Sequence, residues 1–200
     1  MLVKICGITR IDDALAAVEA GAGAIGFVFW PKSPRFIDPY RARAIAAALP
    51  PFVTTVGVFV DQPAEYVRGV AALVPLGAVQ LHGEETVPYV SRMNRPVIKA
   101  VGVGALAPSV TDWPIEVRLL LDVHDPEQRG GTGRTIDWRI AAGIAASRAV
   151  VLAGGLTPDN VGQAVAQVKP CGIDVSSGVE RAPGVKDHGR LRALFEALKS

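Results

Sequence analysis

Val117-Arg118-Leu119-Leu120-Leu121-Asp122-Val123-His124 is the stretch on which the fold turns. It is short, largely aliphatic and free of Gly and Pro, so it reads as a strand. Residues two apart on a strand share a face. Leu119, Leu121 and Val123 therefore lie on one side, and Leu120, Asp122 and His124 on the other. The same division recurs along the chain: Lys4 and Cys6 against Val3 and Ile5, Gln80 and His82 against Val79 and Leu81, Asp174 and Ser176 against Ile173 and Val175. A flat sheet would bury those polar groups under helices. A closed barrel turns the apolar parity toward its helices and the polar parity toward an interior that opens to a ligand at one end.

Outward from that stretch, eight such runs at 2–6, 24–29, 53–60, 78–82, 97–101, 117–123, 149–153 and 172–176 alternate with segments of helical spacing at 12–20, 39–49, 64–74, 136–146, 158–168 and 187–198. The segment 84–93 is a poorer helix because Pro88 interrupts it, and 106–113, between Pro108 and Pro114, allows only about one turn. Strands joined by helical crossovers pair in parallel. The expected architecture is α/β, a (β/α)8 TIM barrel forming one domain over residues 1–200. Helix-to-strand connections such as 21–23 and 50–51 are short and rich in Gly or Pro, whereas the strand-to-helix loops 30–38 and 124–135 are long, so elaboration is expected on one face.

The chain has 200 residues, half of them hydrophobic, and 21 Lys and Arg against 19 Asp and Glu leave a net charge of +2. That supports neither disorder nor the basic field a nucleic-acid partner requires. The longest uncharged stretch, 44–60, is broken by Pro50-Pro51 and cannot span a membrane. Lys4 and Arg10 interrupt the place where a secretory segment would sit, and Cys6 and Cys171 fall near opposite ends of the barrel, too far apart to be bridged. Two free thiols and a cytoplasmic location are expected.

Cys6 ends the first strand on the polar parity, where a thiol serves as base or nucleophile if its pKa falls, a fall that the charge of Lys4 one layer below would favour; the other reading is a small buried apolar residue. Asp122, after three leucines, is expected to sit among apolar groups and to act as an acid, or else to pair with a cation such as Lys99. Strands one and six lie three steps apart on the ring, so the two groups approach a small substrate from nearly opposite directions. Gly154-Gly155 follows the seventh strand and Ser176-Ser177-Gly178 the eighth, the two positions at which barrels commonly seat a phosphate. Arg35 on the loop after the second strand suits a bidentate grip on a carboxylate. Gly130-Gly131-Thr132-Gly133 reads as a mobile cover or as a plain flexible connection.

Two other chemistries compete. Gly102-Val103-Gly104-Ala105-Leu106-Ala107 matches a dinucleotide fingerprint, with Asp122 twenty residues beyond its first glycine, but Pro108 and Pro114 leave no helix to receive the pyrophosphate. His82, His124, Asp122 and Asp174 suggest a metal site, yet no paired His spacing supports one.

At these residues the sequence resembles the phosphoribosylanthranilate isomerases of tryptophan biosynthesis. The resemblance rests on Lys4-Ile5-Cys6-Gly7-Ile8-Thr9, Gly26-Phe27-Val28-Phe29, Ser33-Pro34-Arg35, Val56-Gly57-Val58-Phe59-Val60, Val79-Gln80-Leu81-His82-Gly83, Gly130-Gly131-Thr132-Gly133, Leu152-Ala153-Gly154-Gly155-Leu156 and Asp174-Val175-Ser176-Ser177-Gly178-Val179-Glu180, in order over essentially the whole chain. One departure is Ile136-Asp137-Trp138 in place of Phe-Asp-Trp, expected to change only packing. The resemblance implies an Amadori rearrangement of a small phosphosugar without an external cofactor or metal. It implies Cys6 as general base, Asp122 as general acid, Arg35 at the anthranilate carboxylate, and Gly154, Gly155, Ser177 and Gly178 at the phosphate. His82 is taken as a substrate-pocket residue and Asp174 as an orienting carboxylate. The expected assembly is a monomer or a homodimer. The rivals are the phosphoribosylformimino isomerase of histidine synthesis, which has an aspartate where Cys6 stands, and a noncatalytic phosphosugar-binding barrel.

Overall fold

The computed structural model describes residues 1–103, 110–123 and 135–199. Strands β1 (Leu2–Ile5), β2 (Ala24–Val28), β3 (Thr54–Phe59), β4 (Ala78–Leu81), β5 (Val97–Val103), β6 (Arg118–Val123), β7 (Val150–Leu152) and β8 (Gly172–Val175) pair in parallel in chain order, and β8 closes on β1. The barrel expected from strand parity is the one observed. Its outer faces supply the main core, in which Phe27, Phe29, Phe59, Leu119 and Leu121 are buried beneath the helices. Its interior is filled by smaller clusters: Ala24, Val56 and Ala78; Ala100, Leu120, Val151 and Ala153; and Cys6, Val28 and Val58. The interior is thus a packed core whose polar members gather at the end where the strands finish.

Helices α1 (Ile11–Ala20), α2 (Pro39–Ala47), α3 (Ala64–Leu73), α4 (Val87–Val90), α5 (Trp138–Ser147), α6 (Val161–Val168) and α7 (His188–Ala197) follow their strands. Their starts are written locally. Asp38, Asp137 and Asp187 each accept backbone N–H groups of the first turn, and Pro39 occupies the first helical position of α2. In α6 the buried Val161, Ala164 and Val168 recur at helical spacing. The poor helix expected at 84–93 shrinks to the single turn α4, with Pro88 near its start where a missing N–H is tolerated. After β5 only the 3-10 turn Val110–Asp112 is described.

Two cations make up for these thin crossovers. Lys99 stands in register with Leu81, on the outward parity, so it cannot reach Asp122, the alternative considered above. Instead it lies under the short elements, bonded to Glu85 at 2.9 Å and to the Gly83 carbonyl at 2.5 Å, with the Trp113 ring 5.8 Å away. Arg148 donates to the carbonyls of Val110, Trp113, Pro114 and Val117, tying down the approach to β6.

Between β8 and α7 the chain also forms a small antiparallel hairpin, β9 (Glu180–Ala182) with β10 (Val185–Lys186), around Pro183-Gly184. Gly184 has φ +75°, a left-handed turn position that suits glycine. Asp13 of α1 anchors the hairpin, accepting the Lys186 N–H at 3.0 Å and lying 2.9 Å from His188 Nε2. Among the described residues no helix is long and apolar enough to cross a membrane. Cys6 is buried, Cys171 is exposed, and both are free thiols.

Candidate active site

The ends of the strands and the loops that follow them enclose a cavity of about 480 Å³, of the size that takes a small organic ligand. All nine candidate residues line it: Cys6, Arg35, His82, Asp122, Gly154, Gly155, Asp174, Ser177 and Gly178. His124 and Gly130-Gly131-Thr132-Gly133 lie outside the described residues, as does most of the dinucleotide-like run after Val103. No group of three or more metal-ligating side chains occurs among the described residues.

Lys4 on β1 and Cys6 directly after it face the interior beside Asp174, which is in register with Lys4. Lys4 Nζ lies 2.8 Å from Asp174 Oδ2. Burial works against the Lys4 ammonium, but the Asp174 charge, with Cys6 adding to it, more than offsets that and raises its pKa. Lys4 favours the Cys6 thiolate, as its place one layer below suggested, but it does not prevail. Burial pushes the thiol up; Lys4 pulls it down, Asp174 pushes it up by less, and the net shift is upward. The physical reason is burial, which outweighs the pull of Lys4. Gly26, beside this pair, has no room for a side chain, since a Cβ there would fall 2.9 Å from both Cys6 Sγ and Lys4 Cε.

Asp122, across the ring on β6, is less apolar in its surroundings than expected. Its Oδ1 accepts the Val123 N–H at 2.7 Å, and its Oδ2 lies 3.3 Å from His82 Nε2. His82 therefore belongs beside the carboxylate. Gln80, two residues earlier on the same face, reaches His82 Nδ1 at 3.0 Å.

Arg35 meets a carboxylate already within the protein. Its Nε and Nη2 donate to Glu180 at 2.8–3.1 Å, and Lys186 Nζ lies 2.8 Å from the same group. Burial alone would raise the Glu180 pKa, but Arg35 and Lys186 together hold it below the usual carboxylate range. Burial depresses the Lys186 pKa, with Glu180 opposing. A guanidinium has five N–H donors, so the edge formed by Nη1 and the second Nη2 hydrogen still suits a ligand carboxylate. Glu180 thus braces Arg35 in one orientation, against Gly7, where a Cβ would come within 2.6 Å of Arg35 Cδ.

The loops after β7 and β8 meet. A Cβ on Gly178 would collide with the Leu156 carbonyl oxygen, so only glycine allows this approach. Gly154 and Gly155 have φ +83° and +60°, and Asn160 pins their loop through the Gly155 carbonyl and the Thr157 N–H.

A family model described as N-(5'-phosphoribosyl)anthranilate (PRA) isomerase matches residues 3–197. The chain belongs to the N-(5'-phosphoribosyl)anthranilate isomerase family. It is 50 % identical to the N-(5'-phosphoribosyl)anthranilate isomerase of Pseudomonas fluorescens strain Pf0-1 over 98 % of this chain and 97 % of that one. The crystal structure of phosphoribosyl anthranilate isomerase from Thermus thermophilus superposes with a TM-score of 0.90 at 44 % identity, covering 100 % of this chain and 98 % of that one. Another phosphoribosyl anthranilate isomerase, solved in complex with reduced 1-(o-carboxyphenylamino)-1-deoxyribulose 5-phosphate, superposes with a TM-score of 0.86 at 43 % identity, covering 100 % and 98 %.

Three side chains of this isomerase site escaped sequence reasoning. Gln80 carried the right parity but no assigned role. Glu180 and Lys186 lie on either side of Pro183-Gly184, a turn signal that went unread; the hairpin strands, of three and two residues, are too short for periodicity to register.

Proposed function

We propose that Cys6 and Asp122 are the base and acid with which this isomerase converts N-(5'-phosphoribosyl)anthranilate into 1-(o-carboxyphenylamino)-1-deoxyribulose 5-phosphate. The observation that carries the reading is that both side chains line one cavity, Cys6 from the end of β1 and Asp122 from β6, two strands three steps apart around a closed ring. Asp122 protonates the furanose ring oxygen, the C1–O bond breaks, and the anilino nitrogen stabilises C1 as an iminium. Cys6 thiolate then removes the acidified C2 hydrogen to leave an enolamine. Reprotonation at C1 and loss of the hydroxyl proton at C2 complete the ketone. C1 is reduced as C2 is oxidised, so no outside electron carrier enters the balance.

Anchoring both ends of the substrate brings the reacting carbons between the two groups and removes much of the entropic barrier. Arg35, braced by Glu180, takes the anthranilate carboxylate, and the left-handed glycines Gly154 and Gly155 with Ser177 and Gly178 seat the phosphate. His82 lies against the acid, and Asp174 orients Lys4 beneath the thiol. The whole chain, 1–200, acts as one domain on a small phosphosugar in the cytoplasm.

The direct test is turnover of N-(5'-phosphoribosyl)anthranilate by the purified protein, followed as loss of substrate and gain of the ketose. Absence of turnover would leave the noncatalytic sugar-binding reading. Arg35→Ala is expected to raise KM at least about tenfold, the loss of a charge-assisted contact, with a smaller change in kcat. An unchanged KM would remove Arg35 from the carboxylate.

A further inference from the structure

Gln80 is 1 % exposed and sits on the interior face of β4, two residues before His82. Its amide Nε2 lies 3.0 Å from His82 Nδ1, and its Oε1, also buried, has no hydrogen-bond partner among the described residues. The other ring nitrogen, His82 Nε2, stands 3.3 Å from Asp122 Oδ2. A neutral imidazole carries one ring proton and one lone pair. If the amide N–H points at Nδ1, that atom is the acceptor and the proton sits on Nε2, toward the carboxylate.

We propose that Gln80 is a positioning residue for the acid step: it holds His82 in the tautomer that presents an N–H to Asp122, so the negative charge left when Asp122 gives up its proton is met by a hydrogen-bond donor. The inference rests on the assignment of Asp122 as the acid. Apolar neighbours give Gln80 little else to do, because it pairs in register with Val58 on one side and Ile98 on the other. Either orientation of the amide leaves one of its ends unpaired, so the amide does not choose alone. The carboxylate breaks the tie, since an anion at Oδ2 attracts an N–H and repels a lone pair. With the tautomer reversed, Nε2 would instead hold the Asp122 proton and compete with the ring oxygen for it.

The other titratable side chains lining the cavity are Cys6 from the end of β1, Lys32 and Arg35 from the loop after β2, and Asp174 from β8. Arg35 is engaged by Glu180 and Asp174 by Lys4. The strands beside β4 and β6 offer Val58, Gly102 and Ala153, none of which titrates. Among the described residues His82 is therefore the group placed to respond to the charge on Asp122.

Nitrogen-15 spectra of the histidine rings test the tautomer directly, with His82 assigned by comparison with His124→Gln and His188→Gln. At a pH where the ring is neutral, the proton is expected on Nε2. Gln80→Glu places an acceptor at Nδ1 and favours an imidazolium facing Asp122, which is nearer to it than the new carboxylate. A cation there stabilises the ionised acid, so less of Asp122 carries the proton it must give, and kcat at neutral pH should fall about tenfold, with KM changing less than about threefold. Gln80→Met, of similar length but without the amide, should show both tautomers and a smaller loss, and it carries the test should Gln80→Glu not fold. A wild-type His82 protonated on Nδ1, or a kcat equal to wild type in the folded variants, overturns the inference. That failure is separable from failure of the acid assignment, which Asp122→Asn decides by itself.

Discussion

Replacing Cys6 with alanine is expected to lower kcat at least about a hundredfold while the barrel stays folded. A hundredfold corresponds to about 2.7 kcal/mol of lost transition-state stabilisation. The removed atom is one sulfur in a small cluster with Val28 and Val58, and Lys4 keeps its partner Asp174, so the structural change is local. Cys6→Ser tests the chemistry with less change of shape, because a hydroxyl is a far poorer base than a thiolate. Steady-state kinetics with thermal unfolding of each variant separate lost chemistry from lost structure, and near wild-type turnover in the alanine variant would remove Cys6 from its role. The thiol itself adds a second check. Burial raises its pKa, so at neutral pH it is mostly protonated. In a Cys171→Ser protein, where Cys6 is the one thiol left, the rate of its alkylation by iodoacetamide should rise about tenfold per pH unit and go on rising beyond the pH at which an ordinary free thiol levels off. An alkylation rate already level at neutral pH would contradict this.

Asp122→Asn is expected to have an effect of the same order, again at least about a hundredfold on kcat with a smaller change in KM. Asparagine keeps the size of the side chain and an oxygen for the Val123 N–H, but it has no carboxyl proton to give to the furanose oxygen. Ring opening would then depend on water or on His82, which lies 3.3 Å from the lost carboxylate oxygen. Retained turnover in a folded Asp122→Asn protein would move the acid role elsewhere, with His82 the first group to examine. Losses in both the Cys6 and Asp122 variants, with folding intact, are the result a noncatalytic sugar-binding barrel does not produce.

Much of this was legible because it is local. The parity of a strand is a property of consecutive residues, and helical spacing one of residues a turn apart. Parity brought Cys6, His82, Asp122 and Asp174 to the interior, and position after β7 and β8 brought the glycines to the same mouth. The partners of these groups were not legible. Lys4 was read as favouring the thiolate, and it does, but its ion-pair partner Asp174 stands 170 positions away. Arg35 was read as waiting for a substrate, yet Glu180, 145 positions away, holds one edge of it. Lys99 was offered to Asp122 and faces the opposite side of the sheet.

The alternation of strands with helical segments, together with the order of apolar and polar residues along four of the strands, was enough to determine a closed ring of parallel strands with its chemistry at one end, because helical crossovers force parallel pairing and a strand has only two faces. Which charge neutralises which was decided only by the tertiary structure. An ion pair forms over a few ångströms of space whatever the distance along the chain, and register between β8 and β1, or a hairpin after β8, sets that spacing without leaving a period in the sequence.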